Sequence, residues 1–168
     1  MKEEAETLVR MGQLAVSNDP GGVLTSLGLG SCIGLALVDA AKTVAGLAHI
    51  MLPEARAGVD DPARFADTAV PLLYDEVVRL GARKHALRAV MVGGAHMFSF
   101  DKGGVPALDV GLRNEAATRL ALDALGLAVS GACTGGSTGR TMRVRLGASS
   151  VTVKEAGATE YVLWKGAA

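Results

Sequence analysis

Apolar residues fall into runs of two periods along the chain. Residues 7–16 and 23–27 form short apolar stretches separated by Ser17-Asn18-Asp19-Pro20-Gly21-Gly22, a strong turn signal. Residues 32–39 and 43–50 are nearly continuous apolar runs, with Asp39-Ala40-Ala41-Lys42 as a short polar break. Together they predict an antiparallel hairpin. Residues 53–62 predict a loop. Asp61 is placed to cap a helix with Pro62 at its first position. Phe65, Ala66, Ala69, Leu72, Leu73, Val77 and Leu80 then recur at helical spacing, up to a stop at Gly81. Pro71 interrupts that pattern, so the helix either bends there or becomes regular only near Thr68.

Residues 86–92 predict a buried strand closed by Gly93-Gly94. A glycine-bearing loop over 99–106 leads to a second amphipathic helix near 108–125, ended by Gly126. The remainder alternates like strands, over 127–132, 141–146, 150–155 and 160–164. The pattern predicts one α+β domain over 1–168, with two long helices and eight or nine strands forming mixed sheets or a β-sandwich. Several strands are apolar throughout, which implies a sheet covered on both faces.

Composition adjusts this picture in three ways. The 168 residues are 49% hydrophobic but only 4% aromatic, so Ala, Val and Leu must fill the core. Formal net charge is zero, without a basic run, which argues against nucleic-acid binding. No stretch reaches 18 uninterrupted apolar residues and the N-terminus has no apolar signal core. The expectation is a cytoplasmic protein without direct membrane insertion.

Two cysteines do not make a disulfide framework, although Cys32 and Cys133 are chemically able to pair. Cys32 lies in the glycine-rich run Ser26-Leu27-Gly28-Leu29-Gly30-Ser31-Cys32, and His49 ends the second strand of the hairpin. Antiparallel pairing across the 40–42 break brings the start of the first strand beside the end of the second. Cys32 and His49 therefore meet at the open end of the hairpin. A thiol beside an imidazole is a candidate nucleophile–base pair. Taken singly, each residue reads as an ordinary core or strand-end side chain; the pairing gives them chemistry.

His85 reads as a surface residue. His96, beside Gly93-Gly94, reads as structural or as cleft lining. Arg113 and Asn114 either hold loops or meet a partner. Cys32, His49, His96 and Cys133 lack the close spacing of a metal site, and Gly28-x-Gly30 lacks the Lys and Ser/Thr of a phosphate loop. No metal or cofactor is expected.

Several blocks of the chain resemble the chemoreceptor glutamine deamidase family, CheD. They are Thr25 through Cys32, Gly46 through Pro53, Phe65 through Val70, Gly93 through Phe98, Val110 through Asn114 and Thr134-Gly135-Gly136. The resemblance spans most of the chain in the family's order. It implies the CheD-like cysteine hydrolase fold and deamidation of selected glutamines of methyl-accepting chemotaxis receptors. It also implies a CheC-type phosphatase as partner in systems that have one.

By that resemblance Cys32 is the nucleophile, His49 the general base, and the residue six before the cysteine completes a triad. The family has threonine there and this chain has Ser26, with Thr25 next door as the alternative hydroxyl. Two further departures are Gln13 after Gly12, where the family has glutamate, and Cys133, where an aspartate usually precedes Thr-Gly-Gly. An activated thiol of this kind is expected well below its ordinary pKa of about 8.5.

Overall fold

A computed structural model describes residues 3–97 and 109–167. The loop expected over 99–106 lies outside the described residues. Ten strands and two long helices are present among those described, as an α+β arrangement of two five-stranded mixed sheets. The first sheet has the order β1(Ala5–Leu8)-β3(Gly22–Leu29)-β8(Arg140–Arg145)-β9(Ser150–Glu155)-β10(Tyr161–Lys165). The second has the order β2(Leu14–Ser17)-β5(Val44–Ile50)-β4(Ile33–Asp39)-β6(Arg88–Gly93)-β7(Val129–Thr134).

The two sheets stack face to face. Leu24, Leu29, Met142, Val144, Val151 and Val153 of the first pack against Ala36, Val38, Ala45, Leu47, Val90 and Val92 of the second. The other face of the second sheet is covered by α1(Ala66–Arg79) and α2(Val110–Ala124). There Leu35, Leu37, Ile50 and Met91 meet Ala69, Leu73, Val77 and Leu122. Every residue of β4 and β5 is buried, as a sheet covered on both sides requires. The outer face of the first sheet is wet, with Arg143 bridging Glu6 and Glu160.

Helix α1 starts later than Asp61 and Pro62 suggest. Its N-cap is Phe65, in extended backbone without a side-chain cap. Leu52 forms a parallel bridge with Phe65, and the Leu52 carbonyl accepts from Ala66 N at 2.9 Å. That tie to the chain leaving β5 fixes where the helix begins and outweighs a local capping signal worth about 1 kcal/mol. Asp61 instead closes a turn, its carbonyl accepting from Arg64 N. Pro71 lies inside α1, which continues without a break to Arg79. Gly81 follows the helix with φ +117, the stop its position suggested.

Candidate active site

Strands β4 and β5 pair antiparallel with Gly34 opposite His49 and Ile33 opposite Ile50. Successive side chains alternate between faces. Ala36, Val38, Ala45 and Leu47 face the first sheet, so Gly34 and His49 face it too, and Cys32 packs into the same inter-sheet cluster. Cys32, one residue before β4, and His49, one residue before the end of β5, thus both border the inter-sheet space at the open end of the hairpin. Gly34 contributes no side chain between them. A Cβ there would lie 2.8 Å from Met142 Sδ and 2.9 Å from Leu29 Cδ1.

His49 is 2% exposed. Its Nδ1 lies 3.1 Å from the carbonyl oxygen of Val9. A carbonyl only accepts, so Nδ1 carries the proton and Nε2 presents a lone pair. That Nε2 is buried with no hydrogen-bond partner among the described residues. The backbone around it is held on both sides by the preceding turn: Gly12 N donates to His49 O and His49 N donates to Gln13 O, each at 2.9 Å. Gln13 Oε1 in turn accepts from Arg10 N, closing the turn that presents Val9.

Ser26 is fully buried and faces the inter-sheet space, opposite Met142. Its Oγ donates to the Val9 carbonyl at 3.0 Å, the same oxygen that holds His49. Serine and histidine are therefore joined through a shared backbone acceptor; no direct bond between them is formed. Thr25 points the other way, donating to Glu6 Oε1 at 2.7 Å on the outer side of the first sheet. The Val9 carbonyl is the element that side-chain reasoning missed, because a backbone oxygen carries no residue-type signal.

The segment bearing Cys32 is clamped from behind. Gly94 N donates to Cys32 O at 2.9 Å and Ala95 N to Gly30 O at 2.8 Å. Gly93 has φ +116, and a Cβ there would collide with the Cys32 carbonyl, so both conformation and space demand glycine. Asn114, fully buried on α2, donates through Nδ2 to Ser31 O and to Met51 O, each at 2.9 Å. Of the two roles open to Arg113 and Asn114, loop-holding falls to Asn114, whereas Arg113 is exposed. His85 is on the surface. His96 is exposed, its N donating to Gly136 O and its Nδ1 lying 3.5 Å from Asp109 Oδ2. Cys133 is a free, half-buried thiol that donates to Glu155 and accepts from Tyr161 Oη at 3.2 Å.

Burial pushes the Cys32 thiol above its ordinary value. Burial also pulls the His49 imidazole below its ordinary value, against the opposing effect of the Val9 bond. The expectation of a depressed thiol pKa is therefore overturned. Both shifts disfavour the charged forms, the thiolate and the imidazolium, and so work against a standing ion pair. A cavity of about 290 Å³ opens beside His49, with exposed Met11 and Leu27 in its wall.

A family model described as CheD chemotactic sensory transduction matches residues 51–155. A probable chemoreceptor glutamine deamidase CheD of Methanococcus vannielii is 42% identical over 148 residues, covering 88% of this chain and 93% of the relative. A protein of the same description from Clostridium botulinum is 41% identical over 155 residues, covering 90% of this chain and 94% of the relative. Among solved structures, YlmD from Geobacillus stearothermophilus aligns with a TM-score of 0.44 at 16% identity, over 74% of this chain and 49% of that one.

Proposed function

The chain belongs to the CheD family, and from that premise we propose that it hydrolyses the carboxamide of selected glutamines in methyl-accepting chemotaxis receptors. The products are glutamate and ammonia. The observation that supports this reading is the buried, unpartnered imidazole Nε2 of His49 at the end of β5, with Cys32 immediately before the paired strand β4 and packed against the inter-sheet cluster. A buried acceptor without a donor is costly, and a thiol proton is the donor this site offers.

The reaction follows from those atoms. His49 Nε2 takes the Cys32 proton as the sulfur attacks the glutamine Cδ, forming a carbon–sulfur bond and an oxyanion. Peptide N–H groups of Gly30-Ser31-Cys32 stabilise that oxyanion. His49 returns the proton to the departing nitrogen, the carbon–nitrogen bond breaks, and ammonia leaves a thioester. Water then attacks, losing a proton to Nε2. The carbon–sulfur bond breaks, glutamate forms and the sulfur recovers its proton. One water is consumed per ammonia released. Val9 O fixes the tautomer of His49, and Ser26 supports that oxygen. Cys32 and His49 are the catalytic residues in this account, and Ser26 is a positioning residue.

The whole chain serves as one deamidase domain, because the second sheet belongs to both apolar cores. Action on the cytoplasmic part of a receptor through a free thiol would call for a cytoplasmic location, which is part of this proposal; no described helix is long and apolar enough to cross a membrane. A CheC-type phosphatase is the expected protein partner. The test is mass spectrometry of a receptor cytoplasmic fragment incubated with the protein. Each converted glutamine gains about one mass unit. Cys32→Ala and His49→Ala should each abolish that gain while leaving the fold intact. A gain that persists in Cys32→Ala would exclude the thiol mechanism.

A further inference from the structure

The first turns of α2 lie behind the reactive segment, and two features press them against it. Gly111 sits where any Cβ would collide with the Ala95 carbonyl and would stand 2.7 Å from Gly94 O. Gly94 and Ala95 are the residues whose N–H groups hold Cys32 O and Gly30 O. One turn further on, Asn114 Nδ2 spends both of its protons on carbonyls: Ser31 O, immediately before the nucleophile, and Met51 O, two residues after the base. These acceptors lie 20 residues apart in sequence, on the two sides of the hairpin's open end. Asn114 is fully buried, so it touches no substrate. Its own carbonyl accepts from Thr118 Oγ1 at 2.8 Å within the helix, and its Oδ1 has no partner among the described residues.

We propose that Asn114 is a positioning residue for deamidation: it fixes the separation of Cys32 from His49 by tying the segment before one to the strand end after the other. The proposal rests on the nucleophile–base reading above. Only a primary amide donates twice from one nitrogen at this reach. Alanine removes both ties, and serine can replace at most one. A misplacement of about 1 Å between reacting groups costs about 100-fold in rate. Because Asn114 is shielded from substrate, the loss falls on kcat and leaves KM within about twofold.

The discriminating experiment is a double-mutant cycle on the intact protein, read by the rate at which iodoacetamide alkylates Cys32 at pH 7.5. Melting temperature is recorded alongside, and Cys133 is replaced by serine throughout so that a single thiol reports. His49→Ala slows alkylation in the otherwise wild-type protein. Asn114→Ala slows it too, and His49→Ala then causes no further loss on the Asn114→Ala background, because the base was already out of place. Should Asn114→Ala fail to fold, Asn114→Ser is read in the same way, with a smaller loss. Additive effects of the two substitutions, or an unchanged rate in both Asn114 variants, overturn the proposal. An unchanged rate in His49→Ala alone overturns the underlying nucleophile–base reading instead, so the two failures are told apart.

Discussion

Ser26→Ala separates a direct triad from the linkage observed. In a direct triad the hydroxyl would hold the imidazole itself, and removing a directly bonded orienting group costs on the order of 10⁴ in kcat in the serine-protease case. Here the imidazole is held by Val9 O at 3.1 Å, and Ser26 donates to that same oxygen at 3.0 Å. Deleting the hydroxyl leaves Val9 O with its His49 donor, so no buried acceptor is orphaned. Val9 itself stays anchored, because its N–H donates to Thr25 O at 2.7 Å. What is lost is one neutral hydrogen bond, worth about 0.5–1.5 kcal/mol. Were all of that to fall on the transition state, kcat would drop by no more than about tenfold. The melting temperature would fall by a few degrees. Thr25→Ala removes a hydroxyl bonded to Glu6 on the far side of the strand and leaves kcat within about twofold. The assay is ammonia release from a receptor fragment, with melting followed by circular dichroism. A loss of 10³ or more in a folded Ser26→Ala protein, or a larger loss in Thr25→Ala than in Ser26→Ala, refutes the shared-carbonyl account.

Other outcomes follow from the same geometry. Gly93→Ala places a Cβ against the Cys32 carbonyl at a positive φ and should lower both melting temperature and kcat, whereas Gly58→Ala, with open space around it and a positive φ of its own, lowers melting temperature alone. His49 has a folded pKa below its ordinary 6.5, so the unfolded chain binds the proton more readily. Its contribution to stability is complete above about pH 6.5 and shrinks as pH falls below that value. Urea midpoints measured from pH 8 to pH 5 should show this acid decline, and His49→Gln should flatten it; an unaltered slope in that variant removes the assignment. For the same reason the acid limb of kcat should lie below pH 6.5. Cys133→Ser should leave turnover within about twofold, since the hydrogen bonds of the Cys133 thiol go to Glu155 and Tyr161.

Most of the fold was legible because its signals are local or periodic. The apolar runs at 32–39 and 43–50 became β4 and β5 to within a residue, and Gly81 and Gly126 end the helices with positive φ. The start of α1 was misjudged because it depends on a bridge between Leu52 and Phe65, a tertiary contact that no capping pattern encodes. The site divides along the same line. Hairpin register follows from two strands and a short break, and it sets Gly34 opposite His49 at the open end, two residues after Cys32.

What register does not supply is the third party to the pair. The choice between Ser26 and Thr25 turns on which face of β3 each occupies, and that is decided by pairing with β8, more than a hundred residues away. The Val9 carbonyl is further hidden, since every residue but one type offers the same backbone groups. Its selection comes from the turn at residues 10–13, where Gly12 adopts φ +74 and both Gly12 N and Gln13 O grip His49. The departure at Gln13 is thus intelligible. Its side chain needs only a carbonyl oxygen to accept from Arg10 N, and an amide supplies that as well as a carboxylate does. A serine in place of threonine is intelligible on the same ground. A hydroxyl that supports a carbonyl, rather than the imidazole itself, is asked for one proton and nothing more.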